Sequence, residues 1–273
     1  MLPGALQRRP PHTGPPILVA SYSDLRLCRQ RQAIFVEHGS GQTYLGVDEA
    51  AYSGGPDRDN VVLFLCPNST VAARNADRYP GARSIAVGCP RLDYWHTRPP
   101  QARSTPPVVA FTWHADLNLV PETRNGFRHF SPAVTATRDA GYTVLGHAHP
   151  RFFRRIEGWY VQHGIEAVAT LDEVFARADI LVADNTSAAF EFASLDRPIV
   201  WLTPPHYRRD VHHGLRFWDA LVLGPEATRP EDVPDAIKQA ITEYRPHDEL
   251  LDGLYAGRDG AATKRAVEAI LTL

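Results

Sequence analysis

Four polar side chains between residues 184 and 191 have the types and the spacing of a site for a phosphorylated ligand. The chain here reads ADNTSAAFEF after an apolar run, which predicts a buried strand, a polar turn and a helix. Thr186 and Ser187 stand at the helix N-terminus, where unpaired backbone amides can bind a phosphate. Glu191 follows Asp184 by two helical turns, so its carboxylate could accept hydrogen bonds from a ribose. These four residues are predicted to bind a nucleotide, although helix capping alone would also explain the first three.

Two histidines are candidates for proton transfer, because imidazole titrates closest to neutral pH. His38 lies in the stretch EHGSGQTYLG, where Gly39 could let the backbone approach a ligand or could simply make a turn. His147 and His149 follow a predicted strand and alternate, so they would face opposite sides and only one is expected in a site. We favour His149, because it precedes a proline.

Metal binding is the alternative function for the other histidines. His147 with His149, or His212 with His213, could in principle bind zinc together with an aspartate. The sequence has neither an HExxH motif nor a Cys/His set that would complete such a site. We therefore predict no metal centre and no required cofactor, with Mg²⁺ optional. The lack of GxGxxG before a helix and of GxxxxGK[ST] disfavours a dinucleotide dehydrogenase or a P-loop kinase.

These candidates need a scaffold that brings distant residues together, and the hydrophobic pattern predicts one. Short apolar runs alternate with helical stretches, as in parallel sheets with crossover helices. The predicted strands are 17–20, 33–36, 61–66 and 85–87 in a first sheet, and 108–111, 143–145, 167–169, 180–183, 199–202 and an edge at 221–223 in a second. The predicted helices are 68–78, 132–140, 152–163, 171–177, 187–195, 231–244 and 260–271. We predict an α/β fold of two Rossmann-like domains that face a central cleft.

The proline-rich stretch 94–107 is the best linker candidate between these domains. It gives a first domain at residues 14–100 and a second at residues 106–255. Ligands of such folds bind at the carboxyl ends of the parallel strands. The candidates that follow predicted strands are His38, Thr112, His149 and Asp184.

Further segments occur in the order found in one family of transferases. They are His38-Gly39 with Leu45-Gly46, Gly88-Cys89-Pro90-Arg91-Leu92-Asp93, Thr112-Trp113, His149-Pro150, and Asp259-Gly260 with Lys264-Arg265. Together with residues 178–201, they resemble the motifs of the CDP-glycerol glycerophosphotransferases of teichoic acid biosynthesis. The stretch from Asp184 to Glu191 is also similar to a motif of UDP-N-acetylglucosamine 2-epimerases, and both families belong to the GT-B superfamily.

The resemblance implies a GT-B-like fold with the acceptor in the first domain and the nucleotide-activated donor in the second. The C-terminal helix, within residues 256–273, would cross back to the first domain. His38 would be the general base, and His149 a second catalytic group that offsets charge on the leaving phosphate. The donor-binding residues implied in addition are Gly39, Arg91 and Thr112.

Two departures from this family concern the acceptor. Glu37 precedes His38 where an aromatic residue is usual. Gln42 and Thr43 replace a basic residue. An anionic acceptor would lose one attractive partner and face a carboxylate, which favours a soluble acceptor over a membrane-bound polymer. The acceptor hydroxyl could then belong to a glycan, a protein or a modified DNA base.

The predicted activity is transfer of a glycosyl or glycerophosphoryl group from a nucleotide-activated donor to an acceptor hydroxyl. A nucleotide-sugar glycosyltransferase with a soluble acceptor is one alternative, and a non-catalytic nucleotide-binding module is another. The loop at residues 206–216 is either a solvated surface or a contact for substrate phosphates.

Charge and cysteine content exclude some other classes. The 29 basic and 31 acidic side chains nearly cancel, so no bulk field favours nucleic acid or an anionic membrane. Cys28, Cys66 and Cys89 are scattered without a pairing pattern, which predicts reduced thiols and a cytoplasmic location. No run of eighteen apolar residues occurs, so no transmembrane segment is expected.

Overall fold

Two compact units, each built on its own parallel sheet, make up the described part of the chain. The computed structural model describes residues 14–20, 22–37, 58–99, 103–117, 121–208 and 223–273. The first unit takes its described residues from 14–37, 58–93 and 255–273, and the second takes them from 94–254. The predicted α/β class with two parallel sheets is confirmed. The cleft between two domains stays a prediction.

Strands and helices alternate along the described residues. The strands are β1 (Ile17–Val19), β2 (Ala33–Val36), β3 (Val61–Cys66), β4 (Arg83–Ala86), β5 (Val108–Thr112), β6 (Thr143–Gly146), β7 (Glu166–Ala167), β8 (Ile180–Ala183), β9 (Ile199–Leu202) and β10 (Glu226–Ala227). The helices are α1 (Tyr22–Leu27), α2 (Ser69–Arg78), α3 (Asp93–His96), α4 (Phe127–Asp139), α5 (Pro150–Gln162), α6 (Leu171–Arg177), α7 (Ala188–Ala193), α8 (Val233–Thr242), α9 (Asp248–Leu254) and α10 (Ala262–Leu271).

The first unit holds a four-stranded parallel sheet in the order β1-β2-β3-β4. Side chains alternate along β2, so that Ala33 and Phe35 enter the core on one face while Ile34 enters the core on the other. Helix α2 packs on the first of these faces and α10 on the second. Because both faces are covered, β3 can be apolar at every position, and its sequence is VVLFLC.

Helix α10 is fixed to the first unit by side chains of two family-like motifs. The Asp93 carboxylate accepts hydrogen bonds from the Ala262 and Thr263 amides at 2.9 and 2.7 Å, and so caps the helix from another segment. Arg265 donates to the Val87 carbonyl at 2.9 Å and pairs with Asp259 at 2.8 Å. This ion pair and a hydrogen bond from the Ala261 amide lower the pKa of Asp259 to about 2. The C-terminal helix therefore packs on the first sheet.

The second unit holds a six-stranded parallel sheet in the order β10-β9-β8-β5-β6-β7. Its central strands β5 and β8 are neighbours, so residues that follow them meet at one edge of the sheet. On one face, Val109 and Phe111 of β5 share a core with α4, α5 and α8. The Tyr160 ring packs against Gly146 at the end of β6, where a side chain would not fit. Its hydroxyl accepts from Trp113 Nε1 at 2.6 Å and donates to the His147 carbonyl at 3.1 Å, which ties together the ends of β5 and β6.

Three elements of the second unit differ from the sequence-based predictions. Helix α4 begins at Phe127 rather than at Pro132, and it contains this proline. The amide of its N-cap residue Gly126 donates to Asp184, and this contact sets the start. The edge strand is Glu226–Ala227, whereas Leu223 lies in a 3₁₀ turn and residues 221 and 222 lie outside the described ranges. Helix α9 was not predicted. Within the described ranges, no helix is both long and apolar enough to span a membrane.

Candidate active site

Asp184 joins three segments at the carboxyl edge of the second sheet. It follows β8 directly and has no exposed surface. Its Oδ1 accepts from the His114 amide at 2.9 Å, and its Oδ2 accepts from the Gly126 amide at 2.8 Å. The carboxylate thus fixes the loop after β5 and the start of α4. The sequence predicts direct donor binding by Asp184, but its complete burial gives it a positioning role in this structure.

The turn between β8 and α7 places the predicted phosphate ligands at the same edge. Thr186 and Ser187 are both partly exposed. The Thr186 hydroxyl accepts from the Ala188 amide at 3.3 Å, so Thr186 carries the local capping contact. Ser187 is the N-cap residue, yet its side chain makes no capping bond within the described residues. Ser187 is therefore the better placed of the two to bind a ligand, while Glu191 is 7% exposed on the buried helix α7.

His149 lies at the end of the β6 segment and begins α5. It is exposed, and its Nδ1 accepts from the Arg151 amide at 3.2 Å as a helix cap. An accepting Nδ1 carries no proton, so the neutral ring has its N–H at Nε2. His149 can thus donate a hydrogen bond, which suits a group that stabilises a phosphate.

His147 and Thr112 form a buried pair below this edge. His147 Nδ1 lies 2.6 Å from the Thr112 hydroxyl, and both residues are at most 5% exposed. The predicted alternation of His147 and His149 is therefore confirmed, with His149 on the accessible side. Thr112 links β5 to the segment after β6, and the structure gives it a structural contact where the family resemblance implies donor binding.

His114 is a candidate that sequence reasoning missed. It follows Thr112-Trp113 at the end of β5, and its Nδ1 lies 3.2 Å from the Thr123 carbonyl. A carbonyl only accepts, so Nδ1 carries the proton and Nε2 keeps a free lone pair. Burial and the nearby His149 lower the pKa of His114 to about 4. Its position three residues after the predicted strand 108–111 was a usable signal.

Three other predicted residues fall in the first domain as predicted from the sequence. Arg91 is exposed in the 3₁₀ turn Pro90–Leu92. His38 and Gly39 lie outside the described residues. The general base expected at His38 and the close approach of the Gly39 backbone to a ligand therefore stay predictions.

The carboxylate of Glu37 does not face solvent. Its side chain is 3% exposed, lies 3.5 Å from Arg58 Nη1 and accepts from Asn75 Nδ2 at 3.1 Å. The Arg58 guanidinium in turn lies between the rings of Phe35 and Tyr79, at 5.8 and 5.9 Å from their centroids. The expectation that Glu37 repels an anionic acceptor is therefore wrong, because this carboxylate is buried and paired. The expectation of a soluble acceptor then rests on Gln42 and Thr43.

Clusters of three or more potential metal ligands do not occur among the residues that the structure describes. The site consists instead of histidines, hydroxyls and backbone amides around Asp184. These groups can bind phosphate oxygens and move a proton.

Solved structures that resemble this chain define its fold class. The wall teichoic acid polymerase TagF matches with a TM-score of 0.61 and 14% identity, over 89% of this chain and 68% of that chain. A putative UDP-N-acetylglucosamine 2-epimerase from Listeria monocytogenes matches with a TM-score of 0.53 and 14% identity, over 93% of this chain and 73% of that chain. This chain thus has the GT-B fold of these enzymes.

The family follows from the sequence itself. Residues 130–272 match the sequence model of the CDP-Glycerol:Poly(glycerophosphate) glycerophosphotransferase family, and the chain belongs to this family. It is a transferase of the CDP-glycerol glycerophosphotransferase type, as the motifs predict. A comparison with curated proteins found no match.

Proposed function

We propose that this chain transfers a glycerophosphoryl group from CDP-glycerol to an acceptor hydroxyl and releases CMP. The observation that carries this proposal is the Asp184 contact, which gathers the loops after β5 and β8 at one edge in a chain of this family. A TagF variant solved after a soak with CDPG supports a donor of this class.

The proposed reaction is a displacement at the phosphorus atom that carries glycerol. The acceptor oxygen forms a bond to this phosphorus, the bond from phosphorus to the oxygen shared with CMP breaks, and CMP takes up the charge. A base removes the hydroxyl proton, and His38 is our candidate on the family resemblance. His149 would donate its Nε2–H to the leaving phosphate, and the hydroxyl of Ser187 would donate a further hydrogen bond to it.

Further parts of this proposal concern metal, acceptor and location. We propose that the reaction requires no cofactor and that Mg²⁺ is optional, because histidines and amides can offset the phosphate charge. The acceptor carries a free hydroxyl, on a glycan, a protein or a modified DNA base. The three cysteines in the described residues are free, which supports a reducing compartment such as the cytoplasm.

Product analysis tests the proposed function. The purified protein is incubated with CDP-glycerol or with a UDP-sugar, each with Mg²⁺ and with EDTA, and the released nucleotide is identified by chromatography. We expect CMP from CDP-glycerol, under both metal conditions. Release of UDP from the sugar donor, without CMP from CDP-glycerol, would mean that the chain is a glycosyltransferase instead.

The predicted base has its own test. Replacing His38 with Ala should lower turnover by roughly 10²–10⁴-fold, the range that general base catalysis contributes. The dissociation constant for CMP should stay unchanged, because His38 is proposed to act on the acceptor. A variant with full turnover would remove His38 from the mechanism.

A further inference from the structure

His114 is held in a fixed place at the carboxyl edge of the second sheet, and it has no role in the reaction described above. Its amide donates to Asp184 Oδ1 at 2.9 Å, and its carbonyl accepts from Asn125 Nδ2 at 3.1 Å. Its ring nitrogen Nδ1 lies 3.2 Å from the Thr123 carbonyl. Asp184 and Thr123 have no exposed surface, so both the backbone and the ring are anchored in the interior. The imidazole therefore has little freedom to turn.

The contact with Thr123 fixes which nitrogen of the His114 ring carries the proton. The Thr123 carbonyl can only accept, and it also accepts from the Leu117 amide at 2.8 Å. Nδ1 must therefore hold the proton, which leaves Nε2 with a lone pair. His114 is partly exposed, and no other residue in the described ranges donates to its Nε2. The ring thus offers a ligand one hydrogen-bond acceptor.

The uncharged imidazole of His114 does not suit a phosphate. Burial, and after it the nearby His149, lower the pKa of His114 to about 4, so the ring is neutral at pH 7. An ionised phosphate has only acceptor oxygens, which the lone pair of Nε2 repels. So weak a base is also poorly suited to remove a proton near neutral pH. The group that matches this nitrogen is an uncharged hydrogen-bond donor, such as a hydroxyl.

The neighbour of His114 along the sheet edge is His149. Strands β5 and β6 pair in register as far as Phe111 and Gly146. The ladder continues beyond them, since the His149 amide donates to the Trp113 carbonyl at 2.8 Å. Three residues past the paired Phe111 and Gly146, the same register places His114 beside His149. The ring of His149 has its N–H at Nε2, whereas that of His114 has its lone pair there. A ligand that carries a phosphate and a hydroxyl close together matches both rings.

We propose that His114 accepts, at Nε2, a hydrogen bond from a hydroxyl of the nucleotide-activated donor and thereby helps to select that donor. This inference rests on the proposed function for the identity of the donor. In CDP-glycerol, hydroxyls occur on the glycerol and on the ribose. Glu191 remains the predicted partner of the ribose, which leaves the glycerol for His114.

Calorimetric titration of the full chain, without acceptor, tests this assignment. The ligands are CDP-glycerol, CDP, which lacks the glycerol, and 2′,3′-dideoxycytidine 5′-diphosphate, which also lacks the ribose hydroxyls. His114→Leu removes the acceptor, while His114→Gln can present a carbonyl oxygen in its place. Both variants keep the backbone groups that bond to Asp184 and Asn125. Urea unfolding at pH 7 shows first that each variant is folded.

His163→Leu is the matched control, because His163 has the same tautomer at a different place in the unit. Its Nδ1 lies 2.7 Å from the Trp159 carbonyl, and it is partly exposed like His114. It follows the C-terminus of α5, whereas His149 precedes the N-terminus. The 13 residues of this helix span about 20 Å. An accepting Nε2 at that distance should not affect the donor.

We expect His114→Leu to weaken the binding of CDP-glycerol about fivefold to tenfold, which is the effect of one hydrogen bond, and to leave CDP within about twofold. His114→Gln should recover most of the affinity, and His163→Leu should match the wild type. A loss for CDP-glycerol and CDP, but not for the dideoxy nucleotide, would also support the inference, with the ribose as the source of the hydroxyl. An equal loss for all three ligands, no loss for any of them, an equal loss in His163→Leu, or no recovery in His114→Gln would overturn it.

Parallel titrations with UDP-glucose, UDP and 2′,3′-dideoxyuridine 5′-diphosphate separate this inference from the proposed function. If the wild type binds UDP-glucose but not CDP-glycerol, the proposed function fails, and the same comparison of variants tests His114 against the sugar hydroxyls. If CDP-glycerol binds and releases CMP while His114→Leu binds it normally, the proposed function stands and the inference fails. If the wild type binds none of these nucleotides, both are overturned.

Discussion

Asp93 and Asp184 show how one side-chain chemistry serves two purposes in this molecule. Each lies in a segment that resembles a family motif, and each carboxylate accepts hydrogen bonds from two backbone amides. Asp93 closes the N-terminus of α10 and so attaches a helix to the first sheet. Asp184 is completely buried and joins loops at the carboxyl edge of the second sheet, where ligands of α/β folds bind. The difference lies in their partners, since only Asp184 holds the backbone of a candidate catalytic residue, His114.

Replacing Asp184 with Ala should have the largest effect. It leaves the amides of His114 and Gly126 without a partner in a buried site, and each lost bond to a charged group costs about 1.5–3 kcal/mol. We expect the free energy of unfolding of the second unit to fall by about 3–5 kcal/mol, and turnover to be lost. All five tryptophans lie between residues 95 and 218, so their fluorescence reports urea unfolding of this unit.

The matched variant Asp184→Asn separates folding from function at this position. It keeps one oxygen acceptor and the shape of the side chain, so the free energy of unfolding should fall by only about half as much. Turnover of the folded variant should still drop clearly, because one loop loses its contact. Full turnover in Asp184→Asn would mean that the position serves the fold alone, as we assign to Asp93.

The pH dependence of stability should reveal His114, whose amide Asp184 holds. The pKa of His114 is about 4 in the folded chain and 6.5 in an ordinary histidine. As the pH falls, the unfolded chain takes up this proton first, so the stabilisation is complete above about pH 6.5 and is lost towards pH 4. Between pH 7 and pH 4.5, the wild type should lose about 1–3 kcal/mol more than His114→Asn, by tryptophan fluorescence. Parallel curves for the two proteins would show that His114 titrates normally.

Local patterns predicted the scaffold well because its strands are short and buried on both faces. The runs at β3 and β8 are apolar throughout, and no helical period competes with them. The predicted start of α4 was wrong for a specific reason. Proline is favoured in the first turn of a helix, and the predicted helix begins at Pro132. The contact from Gly126 to Asp184 spans 58 residues and decides the start at Phe127 instead.

The sequence predicted those residues of the candidate site that come soon after a strand. Asp184, Thr186, Ser187 and His149 all lie at the expected edge, but sequence spacing does not show which side chains are buried. Glu37 is the clearest example, since its partner Arg58 is 21 residues away along the chain and only the fold brings the two together.

The smallest effect is expected at Asp93, and it decides whether the two aspartates differ. Replacing Asp93 with Ala removes the cap of α10, which should lower the free energy of unfolding of the first unit by about 1 kcal/mol. Circular dichroism should show this change, because the first unit contains no tryptophan. Asp93→Asn should recover most of the stability, since asparagine caps helices about as well. Turnover of the folded Ala variant should equal that of the wild type. A loss of turnover without a loss of stability would place Asp93 in the catalytic machinery. The two aspartates would then both serve function, and the difference between them would disappear.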